Sequence, residues 1–191
     1  MDKHLILAST SPRRKALLEQ VGADFEIIPS ELRENPIIGT PVQQARALAL
    51  DKARAVAHGR RSGLVIGADT IVVVNSAILG KPRDRHEART MLRLLAGRRH
   101  QVITGLAVID TGGGREVVAH EESAVWIRSL TDDEIERYVA SGEPDDKAGA
   151  YAVQGLGSLL VERIEGCYYN VVGLPLVRLD RMLAEFGVHL L

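Results

Sequence analysis

Two stretches of the sequence combine residue types whose spacing points to chemistry on an anion. Ser9-Thr10-Ser11-Pro12-Arg13-Arg14-Lys15 sets three hydroxyls and three cations around the start of a helix. The positive end of a helix dipole lies at that point, so each cation in the first turn is disfavoured by roughly 0.3 to 1 kcal/mol where Asp or Glu is expected. A bound polyanion reverses the sign, because helix N–H groups, hydroxyls and two guanidinium forks then converge on phosphate oxygens. The competing reading is a solvated helix start whose arginines point outward. Asp69 lies inside the apolar run Leu64 to Val74, where an ionised carboxylate is costly unless it is paired, hydrogen-bonded or beside a metal. Lys52, Lys81 and Lys147 are the candidate partners. The alternative is that Gly67 breaks the strand and Asp69 caps a turn. Glu34, Glu143, Asp145 and Asp146 add loop carboxylates suited to Mg²⁺ together with substrate phosphates, or simply to water. Together these residues suggest metal-assisted phosphate chemistry on a small anion.

The elements that must hold these groups follow from periodicity and caps. His4 to Ala8 reads as a short strand; Ser11 caps a helix with Pro12 at its first position, and Gly22 stops it. Phe25 to Ile28 is a second strand, and Pro29 to Pro41 a polar loop. Thr40-Pro41 opens a helix through Ala45, Leu48, Ala49, Lys52 and Ala53 that ends near Gly59. Leu64 to Val74 is a strand-forming stretch interrupted at Gly67 to Thr70, and Asn75 to Pro82 is a loop. Asp84 with Glu87, and Thr131 with Glu134, are capping-box patterns that open two further helices. His100 to Asp110 and Arg115 to Ile127 form a hairpin turning at Thr111 to Gly114. Leu159 to Ile164 is a strand, and Pro175 to Phe186 a last helix. Alternating helices and strands with hairpins in the middle predict an α/β fold on a mixed sheet.

Composition narrows the function classes. The chain has 191 residues, which suits one domain on a prior of about 150 residues each. Hydrophobic residues make up 46% and the net charge is -1, so the chain folds without staples and has no global attraction to a polyanion. Apolar runs such as Ile71 to Val74 fall short of the ~18 residues of a membrane span, and Leu5 to Ala8 is too short for a signal-peptide core, which reads as cytoplasmic. The single cysteine, Cys167, excludes an intrachain disulfide, and no Cys or His pair has zinc-site spacing. Gly112-Gly113-Gly114 lacks the Gly-Lys-Ser/Thr ending of a P-loop, and Leu160 stands where a dinucleotide fingerprint starting at Gly155 needs its third glycine. Aromatic residues are only 4%, without an interleaved basic stripe, which argues against a nucleic-acid platform.

The motifs, taken in order, resemble those of the Maf-like nucleoside triphosphate pyrophosphatases over essentially the whole chain. Leu7-Ala8-Ser9-Thr10-Ser11-Pro12-Arg13-Arg14 is similar to that family's opening signature, with Leu17-Leu18 and Gly22 in register. Glu34 matches the second acid of a loop pair, Lys52 the helix lysine, Gly67-Ala68-Asp69-Thr70 the central motif, and Gly80-Lys81-Pro82 the turn that follows. His100 to Gly105, Glu143-Pro144, Asp146 to Tyr151, Gln154-Gly155 and Asn170 to Leu176 complete the set. Arg33 stands where relatives often carry the first loop acid, which leaves Glu34 to act there alone.

The resemblance implies a mixed, largely antiparallel twisted sheet flanked by helices, of the Maf and ITPase-like kind, in a single domain over residues 1–191 with two lobes around a nucleotide cleft. It implies hydrolysis of a nucleoside triphosphate to the monophosphate and pyrophosphate with Mg²⁺ or Mn²⁺, the metal held by Glu34 and Asp69. Asp69 then accepts the proton of the attacking water, which desolvation favours, with Lys52, Lys81 and Glu34 also catalytic. Ser9, Arg13, Arg14, Thr70 and Gln154 bind substrate, and the basic groups neutralise the triphosphate. Arg13, Thr70 and Gln154 resemble the branch acting on dTTP and UTP, including modified pyrimidines; the branch acting on 7-methyl-GTP has Glu at the place of Gln154. A neutral pyrimidine suits an amide, and a cationic methylated guanine a carboxylate. The implied partners are a nucleotide and a second copy in a homodimer, with no stable nucleic acid and no membrane. A nucleotide-sensing regulator of septum formation is the alternative from another class.

Overall fold

The computed structural model describes residues 4–30 and 38–191. Glu31, Arg33 and Glu34 lie outside the described residues. The strands are β1 (Leu5–Leu7), β2 (Phe25–Ile27), β3 (Leu64–Val74), β4 (Ala77–Leu79), β5 (Arg99–Asp110), β6 (Glu116–Ile127) and β7 (Val161–Gly166). The helices are α1 (Pro12–Gln20), α2 (Pro41–Ala57), α3 (Arg85–Leu95), α4 (Asp132–Ala140), α5 (Tyr168–Val172) and α6 (Leu176–Ala184), and short 3-10 turns occupy Glu143–Asp146, Ala148–Ala150 and Gly155–Leu159.

The sheet is mixed and runs in the order β2-β1-β3-β5-β6-β7, with β4 paired to β3. β1 is parallel to both neighbours, Leu5 standing opposite Phe25 and Leu64. β4 is antiparallel to β3, and β7 to β6 with Trp126 opposite Arg163. The β5–β6 hairpin closes where the Asp110 N–H reaches the Arg115 carbonyl at 2.9 Å, while Asp110 Oδ1 accepts the Gly112 N–H at 3.1 Å. Residues of β3 are buried almost throughout, which explains an apolar run with no alternation: a central strand covered on both faces needs apolar side chains on both.

Two compact units divide the chain, one made of Met1–Asp69, Thr104–Glu121 and Gly173–Leu191, the other of Thr70–Ile103 and Glu122–Val172. The first packs Ile6, Ala8, Ala49, Ala53, Val65, Ala107 and Ile109 together. The second packs α3 and α4 on Val72, Val102, Val125 and Ile127, with Leu92, Leu95, Ile135 and Tyr151 filling the core.

The caps expected from the sequence form at most helices. Thr40 and Thr131 each make the reciprocal capping box, with Gln43 and Glu134; Asp84 accepts the Glu87 N–H, but the Glu87 carboxylate turns to Arg83 instead. α1 ends on Gly22 at φ +68, with the Ala23 N–H reaching the Leu18 carbonyl and the Gly22 N–H that of Glu19, the paired bonds of a left-handed C-terminal cap. Four expectations need correction. Ser11 sits at the N-cap of α1 without a side-chain cap bond, because Ser9 Oγ takes the Ser11 N–H instead. β3 runs unbroken through Gly67, and Asn75 to Pro82 contains β4, turned by Asn75 and Ser76 at φ 48 and 65, the left-handed pair that a tight hairpin requires. The last strand starts at Val161 rather than Leu159. α5 gives no signal of its own, since a five-residue helix is too short for a periodic pattern.

Candidate functional site

The seat of α2 fixes the geometry of the first unit. Ala45, Ala49 and Ala53 recur every fourth residue and are fully buried. A Cβ on Gly67 would collide with the Ala49 carbonyl, and one on Gly105 with the Ala45 carbonyl. Two glycines under an alanine stripe therefore let the helix backbone lie directly on β3 and β5. Lys52 leaves that helix one residue before Ala53, and its Nζ stands 2.5 Å from Asp69 Oδ1. The two side chains are only 14% and 11% exposed. Of the lysines the sequence offers, it is Lys52 that satisfies the buried carboxylate. Removing one partner of such a pair typically costs about 3 to 5 kcal/mol, because the other charge is left buried alone.

At the start of α1, Ser9 is buried and its Oγ accepts the Ser11 N–H at 3.2 Å and Arg14 Nη1 at 3.1 Å. Arg14 Nε donates to the Gly173 carbonyl at 2.9 Å. Arg14 is thus folded back to tie α1 to the segment before α6. The first turn of α1 contains no acidic residue, and Arg13 is partly buried there.

In the second unit Thr70 follows Asp69 along β3, partly buried. Lys81 is exposed in the turn after β4, and that turn is held where the Gly80 carbonyl accepts the Gly149 N–H at 3.0 Å. Gly149, at φ +69, has Val72 3.1 Å from the place of a Cβ, so a side chain at position 149 would be both strained and crowded. Lys147 bonds the Glu143 carbonyl at 2.6 Å and Asp146 Oδ1 at 2.7 Å. Gln154 is exposed just before the last 3-10 turn. The structure also brings together two motif residues that lie 51 apart in the chain: buried His100 Nε2 is 2.7 Å from the Tyr151 hydroxyl. Burial, with the nearby Arg99 charge adding, pushes His100 down to about 4, and burial pushes Tyr151 up. Among the described residues no three His, Cys, Asp or Glu side chains gather as a metal site, and no helix is long and apolar enough to cross a membrane.

A family model described as Maf-like protein matches residues 4–186. The chain belongs to the Maf-like family. A Maf-like relative from Pelotomaculum thermopropionicum named dTTP/UTP pyrophosphatase is 52% identical over 99% of this chain and 100% of its own length. Relatives of the same name from Moorella thermoacetica and Dictyoglomus thermophilum are 54% and 48% identical, over 96% and 100% of this chain and 95% and 100% of their own lengths. The solved structure of the Staphylococcus aureus Ham1 protein resembles this Maf-like chain with a TM-score of 0.47 at 17% identity, covering 65% of this chain and 72% of that one.

Proposed function

We propose that the protein hydrolyses dTTP and UTP to the monophosphate and pyrophosphate. The observation that carries this reading is the buried Lys52–Asp69 pair in a Maf-like chain, and Gln154 is assigned to the base on its match to the motif. Water attacks phosphorus, the α–β bridging P–O bond breaks, and pyrophosphate leaves with the electron pair. Asp69 accepts the proton of the attacking water, and Lys52 holds that carboxylate in place from the seat of α2. Ser9, Arg13 and Arg14 meet the phosphates at the start of α1, where helix N–H groups and guanidinium donors favour an anion. Lys81 is assigned to the phosphates, and Thr70 and Gln154 to the nucleoside, on their match to the motifs.

Among the described residues no group of three His, Cys, Asp or Glu surrounds Asp69, so a Mg²⁺ or Mn²⁺ ion there would rely on the hard oxygens of Asp69 and of the triphosphate. Such an ion would supply charge neutralisation for the leaving pyrophosphate. Glu34 is its second proposed ligand. A cytoplasmic homodimer completes the proposal; Leu156 and Leu159 are 51% and 68% exposed, apolar surface that a second copy would cover, and sedimentation velocity reads the dimer directly.

The test is turnover of dTTP, UTP, CTP and 7-methyl-GTP with Mg²⁺ or Mn²⁺, scoring pyrophosphate against phosphate. Asp69→Asn is expected to bind nucleotide yet lose turnover by about a hundredfold or more, since an amide cannot take the proton of the water. Turnover of Asp69→Asn near the wild-type rate removes Asp69 as the base, and release of single phosphates removes the pyrophosphatase reading.

A further inference from the structure

One carboxylate in the second unit is fully engaged without a part in the reaction as described. Glu143 opens the first 3-10 turn; its Oε1 accepts the Tyr138 hydroxyl at 2.9 Å and the Gly157 N–H at 2.8 Å, and its Oε2 accepts the Leu156 N–H at 2.9 Å. The Tyr138 hydroxyl in turn accepts the Ala152 N–H at 3.1 Å. Ala152 and Leu156 stand two residues to either side of Gln154. A single Tyr–Glu pair therefore grips both ends of the short span that carries Gln154.

The chain is pressed onto this grip. Gly155 lies at φ +64 with Glu143 Oε2 2.5 Å from the place of a Cβ, and Gly157 leaves no room for one against Ala152 and the Tyr138 hydroxyl. Burial pushes the Glu143 carboxyl up, but the Gly157 and Leu156 N–H groups, the Tyr138 hydroxyl and the Lys147 charge outweigh it and hold the group below the usual glutamate range. Three donors converging on two oxygens need an acceptor with no hydrogens of its own, which is a carboxylate and not an amide.

We infer that Glu143 is a positioning residue for base selection, holding the Gln154 backbone so that its amide meets uracil or thymine at fixed distance. The inference rests on the reading in which Gln154 faces the base. Uracil and cytosine differ in a carbonyl against an amino group at one ring position, and an amide discriminates between them only while its hydrogen bonds keep their length and direction. A loosened span lets the amide shift and meet either base equally poorly.

The experiment compares kcat and KM for UTP and CTP in wild type, Glu143→Gln, Tyr138→Phe and Gln154→Ala. Gln at position 143 keeps the shape but turns N–H groups toward N–H groups, and Phe at position 138 removes one donor to Glu143 together with the acceptor for Ala152. Both variants are expected to lower the UTP to CTP ratio of kcat/KM, by about tenfold for Glu143→Gln, mainly through KM for UTP with kcat within about threefold. A residue that only stabilises the fold would lower the melting temperature and leave this ratio alone. The inference is overturned if folded Glu143→Gln keeps the ratio within about twofold while Gln154→Ala collapses it. Should Glu143→Gln not fold, an unchanged ratio in Tyr138→Phe overturns it equally. A ratio that does not move in Gln154→Ala removes the base-reading role itself, and the inference with it.

Discussion

The Ala49 carbonyl oxygen of α2 occupies the place where Gly67 of β3 would carry a β-carbon. Three residues along the helix Lys52 reaches Asp69, which stands two residues along the strand. The contact of two backbones thus sets the separation of two charged side chains. Gly67→Ala is expected to push α2 away and destabilise the fold by about 1 to 3 kcal/mol, the usual cost of an overfilled core. It should also lower kcat on the order of tenfold or more, because Lys52 and Asp69 lose register. Equilibrium denaturation alongside steady-state kinetics checks both. Unchanged stability would mean that the helix has slack at this point.

Arg14 and Arg13, adjacent in α1, should separate. Arg14→Ala strips the buried Gly173 carbonyl of its guanidinium donor, and an unmatched buried acceptor costs about 1 to 3 kcal/mol. Arg14→Lys does not restore this, since an ammonium lacks the fork that spans Ser9 Oγ and the Gly173 carbonyl. Denaturation midpoints of the nucleotide-free variants read the effect, and equal midpoints for wild type and Arg14→Ala would show the bond to be worthless. Arg13→Ala is expected to weaken triphosphate binding, measured by calorimetry with a non-hydrolysable analogue.

Gln154→Glu should lower kcat/KM for dTTP and UTP by about ten to a hundredfold, roughly 1 to 3 kcal/mol, because a carboxylate then faces a pyrimidine carbonyl in place of an N–H donor. Relative activity on 7-methyl-GTP should rise, as its base carries positive charge. A dTTP to 7-methyl-GTP ratio unchanged within about threefold would detach residue 154 from base recognition.

His100 gives a pH dependence of known sign. The unfolded chain takes up a proton near 6.5, whereas the buried native ring resists until about 4. Between these values the unfolded state binds more protons, so this contribution is complete above pH 6.5 and is lost as pH falls toward 4, by at most about 3 kcal/mol. His100→Gln keeps a polar partner for the Tyr151 hydroxyl and does not titrate. The stability difference between wild type and His100→Gln should therefore shrink as pH drops from 7 to 4, in urea melts at each pH. Parallel curves would show that His100 protonates in the native state without penalty.

Local rules were enough for much of the fold. Thr40 with Gln43 and Thr131 with Glu134 fix helix starts through bonds within a single turn, and Gly22 and Gly97 end helices by a backbone angle that other residues resist. An acid inside the Leu64 to Val74 run told that a partner was needed, since burial cost depends only on the carboxylate and its apolar neighbours. What local rules cannot hold is distance between segments far apart in the chain. Residue types and spacing by themselves leave Lys52, Lys81 and Lys147 open as partners of Asp69, and the close packing of α2 on Gly67 is what brings Lys52 to it. The bond from Arg14 to the Gly173 carbonyl joins residues 159 apart, and no spacing in the sequence announces it. Residue type alone leaves Glu143 a loop acid suited to a metal or to water, because its three donors lie on Tyr138, Leu156 and Gly157, and hydrogen bonds of about 3 Å across a folded loop leave no period or spacing in a sequence.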